Sequence, residues 1–268
     1  MIDFTEEQLE RYSRHIILQD IGIEGQVNIQ QGRVLIIGAG GLGSPAALYL
    51  AAAGVGTIGI ADADRVELSN LQRQVIHFTR DIDRPKVESA AEKMRAINPD
   101  ITVKTYHQFI QAANIREIIA DYDFIIDGTD NFAAKFLIND ACVMAGKPFS
   151  HGGILRFHGQ TITAVPGKSA CYRCVFPAPP PAGAVPSCSQ AGVLGAVAGI
   201  LGTIQAAECL KFLTHAGTLL TDALLVFDAK TMLFRRVDVR RNKQCPVCGE
   251  APTITTLQDG EQPVCDLP

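Results

Sequence analysis

The sequence predicts an α/β protein built on a Rossmann-like, doubly wound, mostly parallel sheet, with antiparallel strands in its C-terminal half. Three observations carry this. The stretch "RVLIIGAGGLGSPAALYLAAAG" from Arg33 reads as a strand, a glycine turn and a helix. Apolar strands then alternate with helices across the first ~150 residues, as a parallel doubly wound sheet requires. Beyond that point the pattern changes to alternating segments broken by turn residues, which is the signature of antiparallel strands.

Each element follows from its own pattern. Residues ~5–19 read as a helix with Leu9, Tyr12, Ile16 and Ile17 on one face, and Thr5 with Gln8 as a capping box. "VLIIG" is a short buried strand, and Ser44 to Ala53 a helix stopped by Gly54. "TIGIAD" is a second buried strand ending in Asp62. "RPKVESAAEKMRAIN" is an amphipathic helix that stops before Pro99, and "ITVKTYHQ" alternates as a strand. "NIREIIADY" is a short helix, "DFIIDGTD" a buried strand ending in acidic groups, and "NFAAKFLINDACVMAG" a helix with a glycine stop. "PFSHGGILRFHGQTITAVPG" and "ALLVFDAKTMLFRRVDVRR" supply the antiparallel strands. Between them, "FPAPPPAGAVPS" is too rich in proline for a helix or a central strand and reads as a loop. The last ~18 residues, from Ala251, carry little pattern and read as a loose tail.

Length and composition bound the function. At 268 residues, 47% hydrophobic and 19% charged, the chain is long and apolar enough to bury a large core. A formal net charge of −4 and a pI of about 5.9 argue against a surface built for nucleic acid. The acidic, amphipathic N-terminus lacks the pattern of a secretory signal. The longest apolar run, Ala191 to Ile204, is shorter than the roughly 20 residues of a membrane span. It reads as a buried helix whose Gly195 and Gly199 allow another helix to approach. A cytoplasmic protein with neither nucleic-acid nor membrane partners is the expectation.

Gly38, Gly40 and Gly43 have the G-x-G-x-x-G spacing between a strand and a helix, which brings bare backbone against an anion at a helix N-terminus. Asp62 follows about twenty residues later, where an acid holds ribose hydroxyls. This pattern alone does not separate NAD from ATP, and an NAD(P)-dependent oxidoreductase stays open on these residues. No acid or base for hydride transfer accompanies it. The following segment, "DADRVELSNLQRQVIHF", is unusual for a dehydrogenase. Asn70, Arg73 and Gln74, with Lys86 a little further on, look like ligands of a triphosphate, a planar fork and a point charge among them. A solvated surface run is the alternative. Asp127 reads as a hydrogen-bonding carboxylate at a strand end.

Eight cysteines include two Cys-x-x-Cys pairs, Cys171 with Cys174 and Cys245 with Cys248. Four thiolates match tetrahedral structural zinc, leaving no open coordination position. The wide gap between pairs means that such a site would pin distant segments together. A redox pair is the weaker alternative, because neither pair is expected to open a helix in a thioredoxin-like setting. Cys142 and Cys209 fall in apolar helical runs and read as core, Cys265 as incidental, and the histidines as without chemistry.

"GAGGLGS", "DADRVELSNLQRQ", "RPKVESAAEKM" and "DGTDNFAAKFLIND" occur in order and at close spacing. Together, and over nearly the whole chain from "RYSRHIIL" to "QCPVCG", they resemble the ThiF/MoeB/HesA family, bacterial relatives of ubiquitin-activating enzymes. The resemblance implies a homodimeric adenylyltransferase. With ATP and Mg2+ it would activate the C-terminal glycine carboxylate of a ubiquitin-fold sulfur carrier ending in Gly-Gly. It implies that Gly41 belongs to the phosphate turn and Asp62 holds the ribose. Asn70, Arg73 and Lys86 would meet the phosphates, Asp130 would hold magnesium, and Arg14 would reach into the partner subunit's site. It agrees with zinc on the four cysteines. Cys188 matches a cysteine that becomes covalently linked to the carrier in thiamine-pathway relatives and is dispensable in molybdenum-cofactor relatives, so a nucleophile and an inert loop cysteine both remain open. The loop from Phe176 to Ser187 would close over the carrier tail. The domain expectation is one adenylation unit, 1–250. It comprises a helical arm (1–30), a nucleotide-binding half (31–150) and a carrier- and zinc-binding half (151–250), followed by the tail, 251–268. A separate protein would donate the sulfur.

Overall fold

The structure, a computed structural model, describes residues 4–260 except 182, 183 and 185–190. One eight-stranded sheet runs through it in the order β3-β2-β1-β4-β5-β6-β7-β8. The strands are β1 (Arg33–Ile37), β2 (Thr57–Ala61), β3 (Thr102–Tyr106), β4 (Phe124–Asp127), β5 (Phe149–Leu155), β6 (His158–Ala164), β7 (Ala223–Asp228) and β8 (Leu233–Asp238). β1 to β5 pair in parallel, and β5 to β8 pair antiparallel. The pattern change at residue 150 is therefore a change of pairing within one sheet.

Helices α4 (Gly43–Ala53), α5 (Lys86–Ile97) and α9 (Gly195–Thr214) cover one face. Helices α6 (Ile115–Ala120) and α7 (Phe132–Ala145) cover the other. Alternate residues of β1 serve the two sides, Val34 and Ile36 in one core and Leu35 and Ile37 in the other. Strands buried on both faces read as unbroken apolar runs, which is why β1, β2 and β4 are so legible. α4 and α7 end on Gly54 and Gly146, both in the left-handed conformation that terminates a helix without a Cβ penalty.

Three local expectations are corrected. The N-terminal helix is two helices, α1 (Glu6–Arg11) and α2 (Ser13–Ile16), broken at Tyr12. The capping box of Thr5 and Gln8 is present. The break lets the Tyr12 ring, 2% exposed, slot beneath Gly54, where its hydroxyl accepts from Asn98 Nδ2 at 2.8 Å. Leu9 and Ile17 are left exposed, so the apolar stripe is not one buried face. Second, the apolar helix is longer and begins later than the apolar run. α9 spans 20 residues, enough by length and composition to cross a membrane. It is instead a core element, since Glu208 accepts from Thr163 Oγ1 of β6 (2.7 Å) and Gln205 Nε2 donates to Asp127 O (2.9 Å). The close approach is made by Gly202, whose Cβ would fall 2.3 Å from Leu42 O, and by Gly195 against Gln72 O, also at 2.3 Å; Gly199 faces open space. Third, residues 251–260 lie on the molecule. Ala112 N–H donates to Asp259 Oδ1 at 2.8 Å, Leu257 packs on the α6–α7 core, and Ile254 packs beside the cysteines. Three anchors spaced this way leave no periodicity for a sequence reading to detect.

Candidate active site

Strand order reverses between β1 and β4, and open α/β sheets bind ligands beyond the carboxyl ends of strands at such a switch point. The glycine turn leaves β1 there. Gly38 has φ of 97°, and a Cβ on it would sit 2.8 Å from Gly128 O, so the turn lies directly against the end of β4. A Cβ on Gly43 would fall 1.8 Å from Gly38 O. Gly40, Gly41 and Leu42 donate their N–H groups to no acceptor among the described residues. They open α4, whose dipole favours an anion at the same place.

Ala39, inside the turn, is held at both peptides. Its N–H donates to Asp62 Oδ2 (2.8 Å), and its carbonyl accepts from His77 Nε2 (3.0 Å). The other Asp62 oxygen accepts from Asp64 N–H at 2.8 Å. Burial pushes the Asp62 carboxyl up, against the pull of Lys86 and these two donors. Asp62 is thus a brace for the turn as well as an acid beside it.

The segment after β2 returns over the turn. Asn70, buried, closes a one-turn 3-10 helix (Leu68–Asn70), accepting from Glu67 N–H and donating to Ser69 Oγ. The Arg73 stem lies across Gly41, and its guanidinium donates to Ser69 O (3.1 Å). Gln74 is buried against Gly40 with its Oε1 unpaired. Lys86, first residue of α5, is 6% exposed, and its ammonium meets Asp64 at 2.7 Å. Fully solvated surface residues would not be buried this way, so the solvated-run alternative fails for Asn70, Gln74 and Lys86.

β4 ends in Asp127, which is buried and accepts from Thr129 N–H (3.0 Å), Thr129 Oγ1 (2.7 Å), Lys135 Nζ (3.3 Å) and His151 Nδ1 (2.7 Å). Burial would push its carboxyl up. The Lys135 ammonium and the other donors outweigh that and hold it well below the usual carboxylate range. This matches the hydrogen-bonding carboxylate expected from sequence, and it pins the turn that presents Asp130. Asp130 itself is exposed and has no ion pair among the described residues.

Two predicted residues are not brought here. Arg14 lies on α2, against the far end of α4, since its neighbour Tyr12 packs beneath Gly54. Eleven helical residues separate that end from the turn, about 16 Å. Cys188 and Cys265 lie outside the described residues, as do residues 182, 183 and 185–187 of the loop from Phe176 to Ser187. The sequence reading passed over His77, His151 and Lys135, which the structure places in the bracing. Their signal was slight: ionisable groups set among apolar neighbours, as in "VIHF".

The four paired cysteines form one cluster, with all four Sγ atoms within 4.8 Å of one another. Measured pairs are 3.9 Å (Cys171–Cys174), 3.6 Å (Cys171–Cys245) and 3.3 Å (Cys174–Cys248). A tetrahedron with Zn–S of about 2.3 Å has edges of about 3.8 Å, so the donor set fits such an ion. Cys171 does open a helix, the single turn α8 (Tyr172–Val175), contrary to the sequence expectation. Four converging sulfurs, rather than the absence of a helix, are what favour metal ligation over a redox pair. Cys142 and Cys209 are fully buried in core helices, as expected.

A doubly wound sheet with a free glycine turn and cations at its switch point defines a nucleotide-binding α/β enzyme. The chain belongs to the ThiF family, whose model matches residues 12–247. It is 45% identical to a sulfur carrier protein adenylyltransferase of Thermus thermophilus, over 96% of this chain and 97% of that one. It is 48% identical to a SAMP-activating enzyme E1 of Haloferax volcanii, over 94% and 93%. A probable adenylyltransferase/sulfurtransferase of Mycobacterium tuberculosis, MoeZ, is 46% identical over 96% of this chain and 65% of its own length. Among solved structures, Escherichia coli MccB superposes with a TM-score of 0.81 at 23% identity, over 97% of this chain and 76% of that one, a likeness of fold. The chain is therefore an enzyme, an adenylyltransferase by class, and the oxidoreductase reading of its glycine turn is set aside.

Proposed function

We propose that this enzyme adenylates the C-terminal glycine carboxylate of a ubiquitin-like sulfur carrier ending in Gly-Gly. The observation that carries the reading is the set of N–H groups on Gly40, Gly41 and Leu42 with no acceptor among the described residues, with Arg73 and Lys86 nearby, at the switch point of the sheet. A carboxylate oxygen forms a bond to the α-phosphorus of ATP, the bond to the bridging oxygen breaks, and pyrophosphate leaves with that electron pair. The attacking carboxylate is ionised at neutral pH, so no base is needed. Both reactants are anionic, and the residues' work is to place them and offset their charge.

In this reading the turn (Gly38, Gly40, Gly41, Gly43) and Asn70, Arg73, Gln74 and Lys86 seat the phosphates, and Asp62 meets the ribose. Asp130, an exposed carboxylate without an ion pair among the described residues, suits magnesium, which takes oxygen ligands. When bound, the ion screens phosphate charge. Cys171, Cys174, Cys245 and Cys248 hold zinc, a structural role that ties the start of α8 to the segment that follows β8. Arg14 serves the partner subunit of a homodimer. Exposed Tyr49, Val75 and Phe78, 59%, 54% and 47% accessible, supply apolar surface for self-association. Cys188 is a nucleophile toward the activated carrier, a separate donor supplies the sulfur, and the pathway is thiamine or molybdenum-cofactor synthesis in the cytoplasm.

The test is ATP–pyrophosphate exchange with purified enzyme, magnesium and a carrier ending in Gly-Gly. We expect carrier-dependent exchange, and a loss of about 100-fold or more in Asp130→Ala. No exchange with any such carrier removes the proposal, and full activity in the variant removes the role of Asp130. Intact-mass detection of the carrier adenylate identifies which carrier is used. Cys188→Ser should leave exchange intact and abolish any covalent enzyme–carrier species.

A further inference from the structure

Behind the glycine turn lies a buried polar chain that the adenylation chemistry does not call on. His77 is 4% exposed. Its Nε2 meets Ala39 O at 3.0 Å and its Nδ1 meets Ser89 Oγ at 2.9 Å. Ser89 Oγ is also met by Lys93 Nζ at 3.2 Å, and Lys93 is paired with Asp81, whose carboxylate is fully buried.

The direction of every bond in this chain is forced. A carbonyl oxygen only accepts, so the Nε2 facing Ala39 carries the proton. Burial lowers the His77 pKa to about 4, so the ring is neutral and Nδ1 is bare. A bare Nδ1 accepts, so the Ser89 hydroxyl donates to it. An ammonium only donates, so Lys93 fills the Ser89 oxygen that remains, and Asp81 anchors Lys93.

We propose that His77 is a positioning residue for nucleotide binding, holding the Ala39 carbonyl inward so that the Gly40 N–H is aimed out at the phosphates. This rests on the reading of the turn as the phosphate site. The Ala39–Gly40 peptide is trans, so its N–H and C=O point in opposite directions. Fixing the carbonyl toward His77 therefore aims the Gly40 N–H away from the core, into the mouth of the turn, where it has no partner among the described residues. Asp62 fixes the preceding peptide through the Ala39 N–H. With both flanking peptides held, the turn is ordered before a nucleotide arrives, and binding does not have to supply that ordering.

The test has two arms. The first needs no nucleotide. Long-range 1H–15N correlation on the 15N-labelled full chain should show His77 with its proton on Nε2, and His77→Leu should move the Gly40 amide resonance while His77→Gln, which keeps an N–H donor, restores it. The second measures ATP binding and the KM for ATP. His77→Leu should weaken both about tenfold with kcat little changed, and His77→Gln should recover most of the loss. Melting temperature is followed in parallel, because a loss that tracks unfolding would not separate KM from kcat. A proton on Nδ1, an unmoved Gly40 amide, or equal ATP affinity in wild type and His77→Leu overturns the proposal. If wild-type enzyme binds no ATP, the phosphate reading fails; the first arm still decides whether His77 orients the turn.

Discussion

At the scale of residues, the site is braced by ionisable groups held in one protonation state. His77 titrates near 4 in the native protein and near 6.5 when unfolded. Between those values the unfolded chain holds more protons, so stability falls as pH falls through this window. The slope is up to about 1.4 kcal/mol per pH unit, on the order of 3 kcal/mol in all. The depressed His151 adds to the same limb. Asp81 has the opposite dependence on charge but the same direction. Burial pushes its carboxyl up, and Lys93 and the Phe78 N–H bring it down to about 2, so its contribution is complete above about 4 and is lost as pH falls toward 2. Thermal melts followed by circular dichroism should therefore lose stability from about pH 6.5 downward. His77→Gln should flatten the part of that slope between about 6.5 and 4; an unchanged slope would mean that His77 takes a proton in the native state as readily as in the unfolded one.

At the scale of elements, the glycine turn is backed by α9 through its packing on α4. α9 lies on α4 at Gly202, and a methyl there would meet Leu42 O at 2.3 Å and Pro45 Cγ at 2.6 Å. Neither contact can yield easily, one being backbone and the other a ring. Gly202→Ala should cost about 1–3 kcal/mol by chemical denaturation, and it should raise the KM for ATP if the turn that Leu42 closes seats the phosphates as proposed. A stability loss with an unchanged KM would show that the turn is insulated from the helix behind it. Buried strands and capped helices were legible in the sequence, because an apolar run such as "VLIIG" or a Gly54 stop has one local solution. The glycine turn and the four cysteines were legible because their pattern is tied to spacing, whereas Arg73 and Lys86 stood out from a surface run only through the family resemblance. The bracing was not. Asp127 with Lys135 and His151, or His77 with Ser89 and Lys93, are pairings made by topology, and nothing in the local sequence marks them. The break at Tyr12 was hidden for the same reason: its cause, the space beneath Gly54, lies more than forty residues away.

At the scale of the whole molecule, the position of Arg14 argues for a site completed by two chains. Tyr12 fixes the N-terminal arm to the far end of α4, and Arg14, exposed and without an ion pair among the described residues, sits on that arm, a helix length from its own glycine turn. An arginine side chain does not span about 16 Å, so Arg14 can serve such a turn only in a second copy. In the proposed two-fold dimer the two sites would be equivalent, each taking its turn and Asp130 from one subunit and Arg14 from the other. Arg14→Ala and Asp130→Ala should each be inactive alone. Mixed, exchanged and reassembled at equal amounts, they form heterodimers in which one site has lost both groups and the other has neither change. Random pairing makes half the dimers mixed, so about a quarter of all sites, and about a quarter of wild-type pyrophosphate exchange, should return. If Arg14 acted within its own chain, every site in the mixture would lack one group or the other, and activity would stay at the level of the single variants.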